Sequence, residues 1–387
     1  MKNYIERVYE NIKIDEGKVF LESFLREVYL NVRTSNKDIA EAIRLPIPIV
    51  SAIKKEFIKE KILAQQNGII LTSDGIKYVE EELKYSGLKR EVYKDLVGEN
   101  PLNKKAFNEL SADLSEIMDK RPEADLLIDQ THCTLTTSLK RAIFCLKSNS
   151  LIGKNIICIG DDDLVSVSLG LLLKKLFKDS SDKAYIKALD IDDRYLEYIS
   201  EISSKFKLNI SCENLDLRVP IKDELLSRFD CFFTDPPYTL NGLRLFLKRG
   251  IDTLKKEKGL SIFLSFGHKS PDFTLKMMKL FTDLNIVPME IIRGFNKYIG
   301  AGIIGNEGQF MHLSTTSNIK NLRDDIPLDN IYTGEIRDRK KIYICKNCGE
   351  KYEIGFGMEV KTIEDLKRIR CKKCNSSTFD IQKKIFK

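Results

Sequence analysis

The tetrapeptide DPPY places Asp235, Pro236 and Tyr238 shortly after the apolar residues 231–233. This order predicts a buried strand that ends in a carboxylate, a rigid proline turn and an aromatic ring. A carboxylate attracts an ammonium group, and the face of an aromatic ring attracts a cation. The tetrapeptide therefore predicts a site at the edge of a sheet where an amine is held for alkylation of its nitrogen.

An acidic segment, GDDD, follows a second predicted strand over residues 155–159. Gly160 permits a tight turn after this predicted strand, and a helix is expected over residues 164–177. Asp161, Asp162 and Asp163 stand at its start, where one or two of them can cap the helix. Three consecutive acids exceed what capping requires. We therefore expect at least one of them to be catalytic or to bind a cation.

Two further acids follow later predicted strands. Asp190 ends the apolar residues 184–189, and Asp216 follows residues 208–212. Ligands of a doubly wound sheet bind beyond the carboxyl ends of its strands, where an acid after the second strand accepts hydrogen bonds from a ribose. Asp190, rather than Asp192, is therefore predicted to bind a ribose; the alternative is another helix cap. Asp216 is predicted to meet an adenine amino group.

Strands and helices alternate through residues 151–325, which predicts a Rossmann-like, doubly wound α/β domain with a parallel sheet. The candidate strands are residues 155–159, 184–189, 208–212, 229–233, 260–265, 287–292 and 310–314. Residues 1–85 predict a winged-helix-like domain, whose use is DNA contact, dimerisation or cover for an active site. Residues 86–150 predict a helical connector, which ends in a polar segment with Asp129 and Gln130 at the rim of the site.

Residues 326–387 predict a linker and a C-terminal zinc-ribbon module. Its two C-x-x-C pairs comprise Cys345, Cys348, Cys371 and Cys374. Two such pairs are typical of a structural zinc site with four thiolates; the alternative is two pairs of inert thiols. The basic residues around them are expected to be solvated. We expect no redox cofactor.

Length and composition indicate a soluble protein of two or three domains. The chain has 387 residues, 42% hydrophobic and 31% charged, with no Trp, which is compatible with a thermophilic source. Its net charge of +7 permits contact with nucleic acid but does not favour it. The N-terminal residues lack the apolar core of a signal peptide, and no apolar run is long enough to span a membrane, so a cytoplasmic location is expected. A homodimer is compatible with the sequence.

Residues 151–317 resemble the class I S-adenosylmethionine-dependent transferases. Asp190 and Asp216 match the ribose-binding and adenine-binding positions of that superfamily, and the DPPY tetrapeptide matches the amine-binding motif of its nitrogen methyltransferases. The glycine-rich loop of the superfamily is replaced here by GDDD. Three aspartates would repel the carboxylate of S-adenosylmethionine but suit the decarboxylated donor and a polycationic acceptor.

Over the longer range of residues 1–320, the chain resembles the branched-chain polyamine synthases. The shared features are the winged-helix-like domain, the GDDD loop, DPPYT and a DQ-x-x-x-T segment with Asp129, Gln130 and Thr134. The resemblance implies transfer of aminopropyl groups from decarboxylated S-adenosylmethionine to the internal nitrogen of spermidine. The product is then bis(aminopropyl)spermidine and the by-product methylthioadenosine.

Charge and geometry suggest roles for the acids in that reaction. The attacking nitrogen must be neutral, so a carboxylate has to remove its proton. Asp162 is the first candidate for this base, with Asp161 and Asp163 holding terminal ammonium groups. Asp235 is expected to bind the acceptor amine, and Tyr238 to face the developing cation.

Two other functions remain open from the sequence: a nitrogen methyltransferase that acts on a nucleic-acid base, and a transcription regulator with a decayed transferase domain. The GDDD loop and the modest charge argue against the first, and the series of acids at strand ends argues against the second. Residues 295–302 predict either a flap over the acceptor or an ordinary loop. His268 and His312 are expected to be structural or solvent-facing, whereas His132, close to Asp129, is a better candidate for the site.

Overall fold

The structure is a computed structural model that describes residues 3–300, 305–319, 329–333, 341–354, 358, 360 and 363–384. The chain divides into two compact units. The first comprises Met1–Ala124, Thr131–Pro236 and Phe246–Asp325, and the second comprises Asp125–Gln130, Pro237–Leu245 and Ile326–Lys387. No helix in the described part of the chain has the length and apolar character needed to cross a membrane.

The first unit begins with five helices and a small antiparallel sheet. The helices are α1 (Tyr4–Ile12), α2 (Lys18–Leu30), α3 (Asn36–Ile43), α4 (Ile47–Lys59) and α5 (Ser73–Glu81), and the strands are β1 (Leu63–Gln65) and β2 (Ile69–Leu71). Ser35 and Asp38 form a capping box at the start of α3. The two-stranded sheet lies where the sequence predicts a wing; the winged-helix assignment itself stays a prediction.

The connector consists of α6 (Arg90–Val97), α7 (Lys105–Asp119) and α8 (Leu135–Lys147). On α8, Leu139, Ala142 and Ile143 are buried, as expected for the apolar stripe of an amphipathic helix. Arg141 is buried among them with only 2% of its surface exposed. Since a buried guanidinium requires partners, this position marks a polar network inside the fold.

Seven strands form the main sheet of the first unit: β3 (Lys154–Ile159), β4 (Ala184–Asp190), β5 (Ile210–Asn214), β6 (Cys231–Thr234), β7 (Ser261–Gly267), β8 (Ile286–Lys297) and β9 (Glu307–Thr315). Their order is β5-β4-β3-β6-β7-β9-β8. All seven lie where the sequence predicts strands, with shifted ends. The helices α9 (Val165–Leu176), α10 (Asp193–Phe206), α11 (Leu240–Thr253) and α12 (Pro271–Asp283) follow β3, β4, β6 and β7 along the chain.

The sheet differs from the expected parallel one at one edge. β3 to β7 are parallel, whereas β9 runs antiparallel to both β7 and β8. The chain between β8 and β9 is too short to contain the crossover helix that parallel neighbours require, so the two strands form an antiparallel pair. The strand order reverses at β3, which lies between β4 and β6, and this reversal opens a crevice at the carboxyl ends of the strands.

Aromatic packing closes the core beside this crevice. The rings of Phe233 and Phe263 stack with their centroids 4.5 Å apart. Gly250 of α11 crosses so close to Phe232 that a Cβ atom there would lie 2.4 Å from its ring. Glycine is therefore required at this helix–strand crossing, although it lowers helix propensity.

In the second unit, three short strands form an antiparallel sheet in the order β11-β10-β12. They are β10 (Lys341–Cys345), β11 (Lys351–Ile354) and β12 (Phe379–Lys384), and α13 (Ile363–Ile369) lies between β11 and β12 in the chain. The buried apolar core of this module contains Ile354, Val360, Leu366 and Phe379 together with cysteines. So small a core needs additional stabilisation.

His312 makes the stability of the first unit dependent on pH. Its ring stacks on Phe263 at 5.3 Å, and burial, with a smaller effect of Arg44, lowers its pKa to about 4 from the ordinary 6.5. The unfolded chain therefore binds this proton more tightly, and we expect the free energy of unfolding to fall as the pH decreases from about 6.5 to about 4. Chemical unfolding of a His312→Gln variant should show a weaker dependence on pH in this window.

His268 provides the control because its side chain is exposed. A His268→Gln variant should retain the pH dependence of the original protein. Equal slopes for the original protein and the His312→Gln variant would contradict the role of His312.

Candidate active site

Five aspartates of the first unit lie at the carboxyl ends of β3, β4 and β6. Gly160 follows β3 with φ +77°, a conformation that favours glycine, and starts the turn that carries the GDDD aspartates. Asp190 is the last residue of β4, and Asp235 follows the last residue of β6. The strand reversal at β3 therefore brings these acids to one end of the sheet, as the sequence predicts.

Asp161 caps α9. Its Oδ1 accepts a hydrogen bond from the amide of Val165 at 2.7 Å, and its Oδ2 accepts one from the amide of Ser166 at 3.2 Å. Burial raises the pKa of Asp161 to about 7, although these amide donors favour the carboxylate. The capping role that the sequence leaves open for one of the three acids therefore falls to this residue.

Arg141 binds two of the five carboxylates. Its Nη1 donates to Oδ2 of Asp163 at 2.6 Å, and its Nη2 donates to Oδ2 of Asp235 at 3.0 Å. The side chains of Arg141, Asp163 and Asp235 are 2%, 4% and 14% exposed. These are therefore largely buried, charge-assisted hydrogen bonds.

Residues of β8 and its end complete the network around Arg141. Nε of Arg141 donates to Oδ1 of Asn296 at 3.1 Å, and the hydroxyl of Tyr298 donates to Oδ2 of Asp235 at 2.7 Å. Residues 295–297 belong to β8 rather than to a flap, and Tyr298 is buried. The beginning of the predicted flap is therefore part of the core; residues 301 and 302 lie outside the described residues.

Sequence reasoning missed both Arg141 and Tyr298. One signal for Arg141 was available, because a single arginine interrupts an apolar helical stripe at Leu139, Ala142 and Ile143. Such a residue predicts a buried ionic partner. Which carboxylates it binds could not be read from the sequence, because they lie on other elements.

Asp162 is partly exposed, whereas its two neighbours in the loop are buried, and within the described residues no ion pair to it is found. Its Oδ2 accepts a hydrogen bond from the amide of Thr131 at 3.2 Å, and within the described residues no protein donor is bound to its Oδ1. Burial, followed by the charges of Asp163, Asp190 and Asp235, raises its pKa well above the ordinary value. These surroundings are compatible with a proton acceptor, and the assignment of Asp162 as the base stays a prediction.

The segment from Thr131 to Cys133 positions the loop acids through its backbone. The amide of Thr131 binds Asp162, and the amide of Cys133 donates to Oδ1 of Asp163 at 2.6 Å. His132 stands between these two residues in the chain, and its Nε2 lies 2.6 Å from the hydroxyl of Tyr195. Burial, followed by the charge of Arg121, lowers the pKa of His132. His132 is thus near the site, but its recorded partner is a tyrosine rather than an acid of the GDDD loop.

The two predicted nucleoside-binding acids have different surroundings. Asp190 is buried, its oxygens accept from the amides of Asp161 and Asp192 at 2.9 Å, and burial raises its pKa. Asp216 is partly exposed and pairs with Arg218 at 2.6 Å, and this hydrogen bond lowers its pKa. Backbone amides therefore fix the side chain of Asp190, and the ribose contact of Asp190 and the adenine contact of Asp216 both stay predictions.

The predicted acceptor residues Asp129, Gln130 and Tyr238 belong to the second unit. Oδ2 of Asp129 accepts a hydrogen bond from the amide of Thr333 at 2.7 Å, and the side chain of Gln130 accepts one from the amide of Asp125 at 2.8 Å. Tyr238 is partly exposed. The contacts made by Asp129 and Gln130 show structural uses that the sequence did not reveal, and all three acceptor assignments stay predictions.

Four cysteines of the second unit form a candidate metal centre. The sulfur atoms of Cys345, Cys348, Cys371 and Cys374 all lie within 4.8 Å of one another. The hydroxyl of Tyr352 donates to the sulfur of Cys371 at 3.2 Å, which supplies a second-layer contact of the kind that orients metal ligands. Four converging sulfur ligands fit tetrahedral zinc, as the C-x-x-C spacing predicts.

Removal of this metal is expected to unfold the module, because its own core is small. We predict that a Cys371→Ser variant binds less zinc than the original protein and that β10 to β12 lose protection from hydrogen exchange. Elemental analysis and hydrogen-exchange mass spectrometry measure these effects. A matched Cys212→Ser variant, which changes a cysteine outside the cluster, should keep the full zinc content. Equal zinc in both variants would contradict the four-sulfur site.

Comparisons with known proteins agree with the geometry. The family model for the branched-chain polyamine synthase A C-terminal domain matches residues 109–364. An uncharacterised protein of Methanocaldococcus jannaschii is 35% identical over 364 residues, which cover 94% of this chain and 89% of that protein. The N(4)-bis(aminopropyl)spermidine synthase of Thermococcus kodakarensis is 30% identical over 312 residues, which cover 79% of this chain and 84% of that protein.

A solved structure shows the same fold. The branched-chain polyamine synthase from Thermus thermophilus, in complex with N4-aminopropylspermidine and 5'-methylthioadenosine, matches with a TM-score of 0.50 and 19% identity. The match covers 84% of this chain and 95% of that chain. The family model spans more than half of this chain, and the synthase of Thermococcus kodakarensis is similar over more than two thirds of it. This chain therefore belongs to the branched-chain polyamine synthase family.

Proposed function

We propose that this chain transfers aminopropyl groups from decarboxylated S-adenosylmethionine to the internal nitrogen of spermidine, giving bis(aminopropyl)spermidine and methylthioadenosine. The observation that carries the proposal is the acid cluster at the strand reversal, where Asp162 is partly exposed and, among the described residues, has no ion-pair partner. Relatives named for this synthesis and the solved relative with a polyamine and methylthioadenosine bound support the assignment.

The charge of the cluster favours this donor over ordinary S-adenosylmethionine. The cluster contains five aspartates, and one guanidinium, that of Arg141, is bound to it. Arg141 donates hydrogen bonds to Asp163 and Asp235, and also to Asn296 and Tyr298. Arg141 is thus already engaged by partners within the protein. The decarboxylated donor has no carboxylate and carries a sulfonium and an ammonium group, which the remaining negative charge attracts.

The reaction requires the acceptor nitrogen to lose one proton before each transfer. Its lone pair then attacks the propyl carbon beside the sulfonium, the carbon–sulfur bond breaks, and the bonding electrons leave with methylthioadenosine. The first transfer converts the secondary amine into a tertiary amine, and the second converts that into a quaternary ammonium. The site must therefore accept one proton per transfer and tolerate a permanent cation.

We propose Asp162 as the base. Asp161 is engaged in capping α9, and both oxygens of Asp163 accept hydrogen bonds from Cys133 and Arg141. The raised pKa of Asp162 makes it a stronger base than an ordinary aspartate, and cationic substrates bound beside it would favour its ionised form. Asp161 and Asp163 then contribute negative charge rather than proton transfer.

The remaining assignments follow the same chemistry. Gly160 and Asp190 bind the nucleoside part of the donor, and Asp216 meets its adenine. Asp235 and Pro236 bind the acceptor nitrogen. For the second unit, Tyr238, Asp129 and Gln130 are proposed to bind the acceptor chain.

One assay separates this proposal from its rival, a nitrogen methyltransferase that acts on a nucleic-acid base. The protein is incubated with spermidine and either the decarboxylated or the ordinary donor, and the products are identified by mass spectrometry. We expect methylthioadenosine and spermidine products with one and two added aminopropyl groups, from the decarboxylated donor alone. Methyl transfer to DNA or RNA, without turnover of the decarboxylated donor, would overturn the proposed function.

Replacement of Asp162 by Asn tests the proposed base. General-base catalysis contributes about 10²- to 10⁴-fold, so kcat should fall by a factor of that order. Binding of methylthioadenosine, measured by calorimetry, should remain, because Asp190 is unchanged. Asp161→Asn is the matched control, since asparagine also caps a helix and should reduce kcat less. Unchanged turnover in Asp162→Asn would exclude Asp162 as the base.

A further inference from the structure

We infer that Arg141 is a positioning residue that holds Asp163 and Asp235 as a fixed pair of anions beside the proposed base. This inference deepens the proposed function and assumes it. Arg141 is a buried residue of α8. Its Nη1 binds Asp163 in the loop after β3, and its Nη2 binds Asp235 after the end of β6. One side chain thus ties together the two segments that carry the proposed base and the proposed acceptor-binding acid.

The bonds leave Arg141 little freedom. Nε is bound to Asn296, which is completely buried and whose amide donates to the carbonyl of Gln309. Nη2 lies between Asp235 and the hydroxyl of Tyr298, at 3.0 Å and 3.3 Å. A planar guanidinium with several fixed donors defines the direction as well as the distance of each partner, which a lysine cannot do.

The charge of Arg141 also acts on the proposed base. Without it, the negative charges of Asp163 and Asp235 would lack the cation that binds them. Their repulsion would then act more strongly on Asp162 and would favour its protonated form. Ionisation of Asp162 would therefore require a higher pH.

Other polar groups around the cluster do not replace this function. Asp190 and Asp161 add negative charge, and the Tyr195 hydroxyl is neutral because burial raises its pKa. Burial raises the pKa of the Cys133 thiol and lowers that of His132, so both are neutral near pH 7. Arg121 donates to the carbonyl of Cys133 at 3.0 Å. Among these described groups, Arg141 is the cation that binds the acids of the cluster directly.

The test compares Arg141→Met and Arg141→Lys with Lys140→Met. Lys140 is the neighbouring residue on α8; it donates to the carbonyl of Phe295 and has no recorded contact with a carboxylate of the cluster. We expect Arg141→Met to lower kcat/KM for spermidine by about 10²-fold or more. The acidic limb of the pH profile of kcat/KM should move to higher pH by about one unit or more. Arg141→Lys should keep the limb close to the original one but raise KM, because it retains the charge without the fork. Lys140→Met should change neither.

A second substitution separates positioning from folding. In the double variant, Asp163→Asn removes the anion that Arg141→Met leaves without its cation. The acidic limb of the pH profile should therefore move back towards lower pH. A loss of kcat in folded Arg141→Met, with the acidic limb of the pH profile unmoved, would mean that Arg141 is merely structural and would overturn the inference.

A titration without substrate keeps this test independent of the proposed function. Carbon-13 NMR of labelled aspartates in the free protein should show Asp162 titrating at higher pH in Arg141→Met than in the original protein. If Arg141→Met does not fold, the same measurement on Tyr298→Phe should show a smaller shift in the same direction. An unchanged Asp162 titration contradicts the role of Arg141, whereas failure of the original protein to release methylthioadenosine contradicts the proposed function alone.

Discussion

The buried ion pairs of Arg141 with Asp163 and Asp235 are the interaction on which the site depends. Collecting five aspartates at the end of a sheet is unfavourable, because each anion loses hydration and repels the others. One guanidinium on α8 compensates two of them at 2.6 Å and 3.0 Å, and backbone amides bind others. The negative charge that remains is concentrated near Asp162, where a cationic substrate can neutralise it.

Three adjacent aspartates thereby acquire different properties within one turn of chain. Asp161 caps a helix, Asp163 joins an ion pair, and Asp162 is partly exposed with a raised pKa. Proton transfer needs a carboxylate that the substrate can reach, whereas Asp161 and Asp163 are buried and engaged in a helix cap and an ion pair. A glycine-rich loop at this position would supply neither the negative charge nor three carboxylates with different surroundings.

Much of the fold followed from periodicity alone. The seven strands of the main sheet, the small antiparallel sheet near the N-terminus and the four-cysteine cluster lie where the sequence predicts them. The antiparallel course of β9 was missed, because apolar runs indicate strands but not their direction. The sequence assigns residues 295–297 to a loop or flap because the segment 295–302 is rich in glycine, yet pairing with β9 extends β8 through them.

The sequence by itself determined the family, the acid series and the metal-binding cysteines, because these depend on residue types at short spacing. Tertiary structure decided which acid is paired, which caps a helix and which remains available. Arg141 and Asp163 are 22 positions apart, and Arg141 and Asp235 are 94 apart. Such contacts form only when separate elements pack together, and the same is true of the hydrogen bond from the amide of Thr333 to Asp129. The DPPY and GDDD segments indicated a cationic substrate, and the buried arginine between them shows how their charges are kept in place.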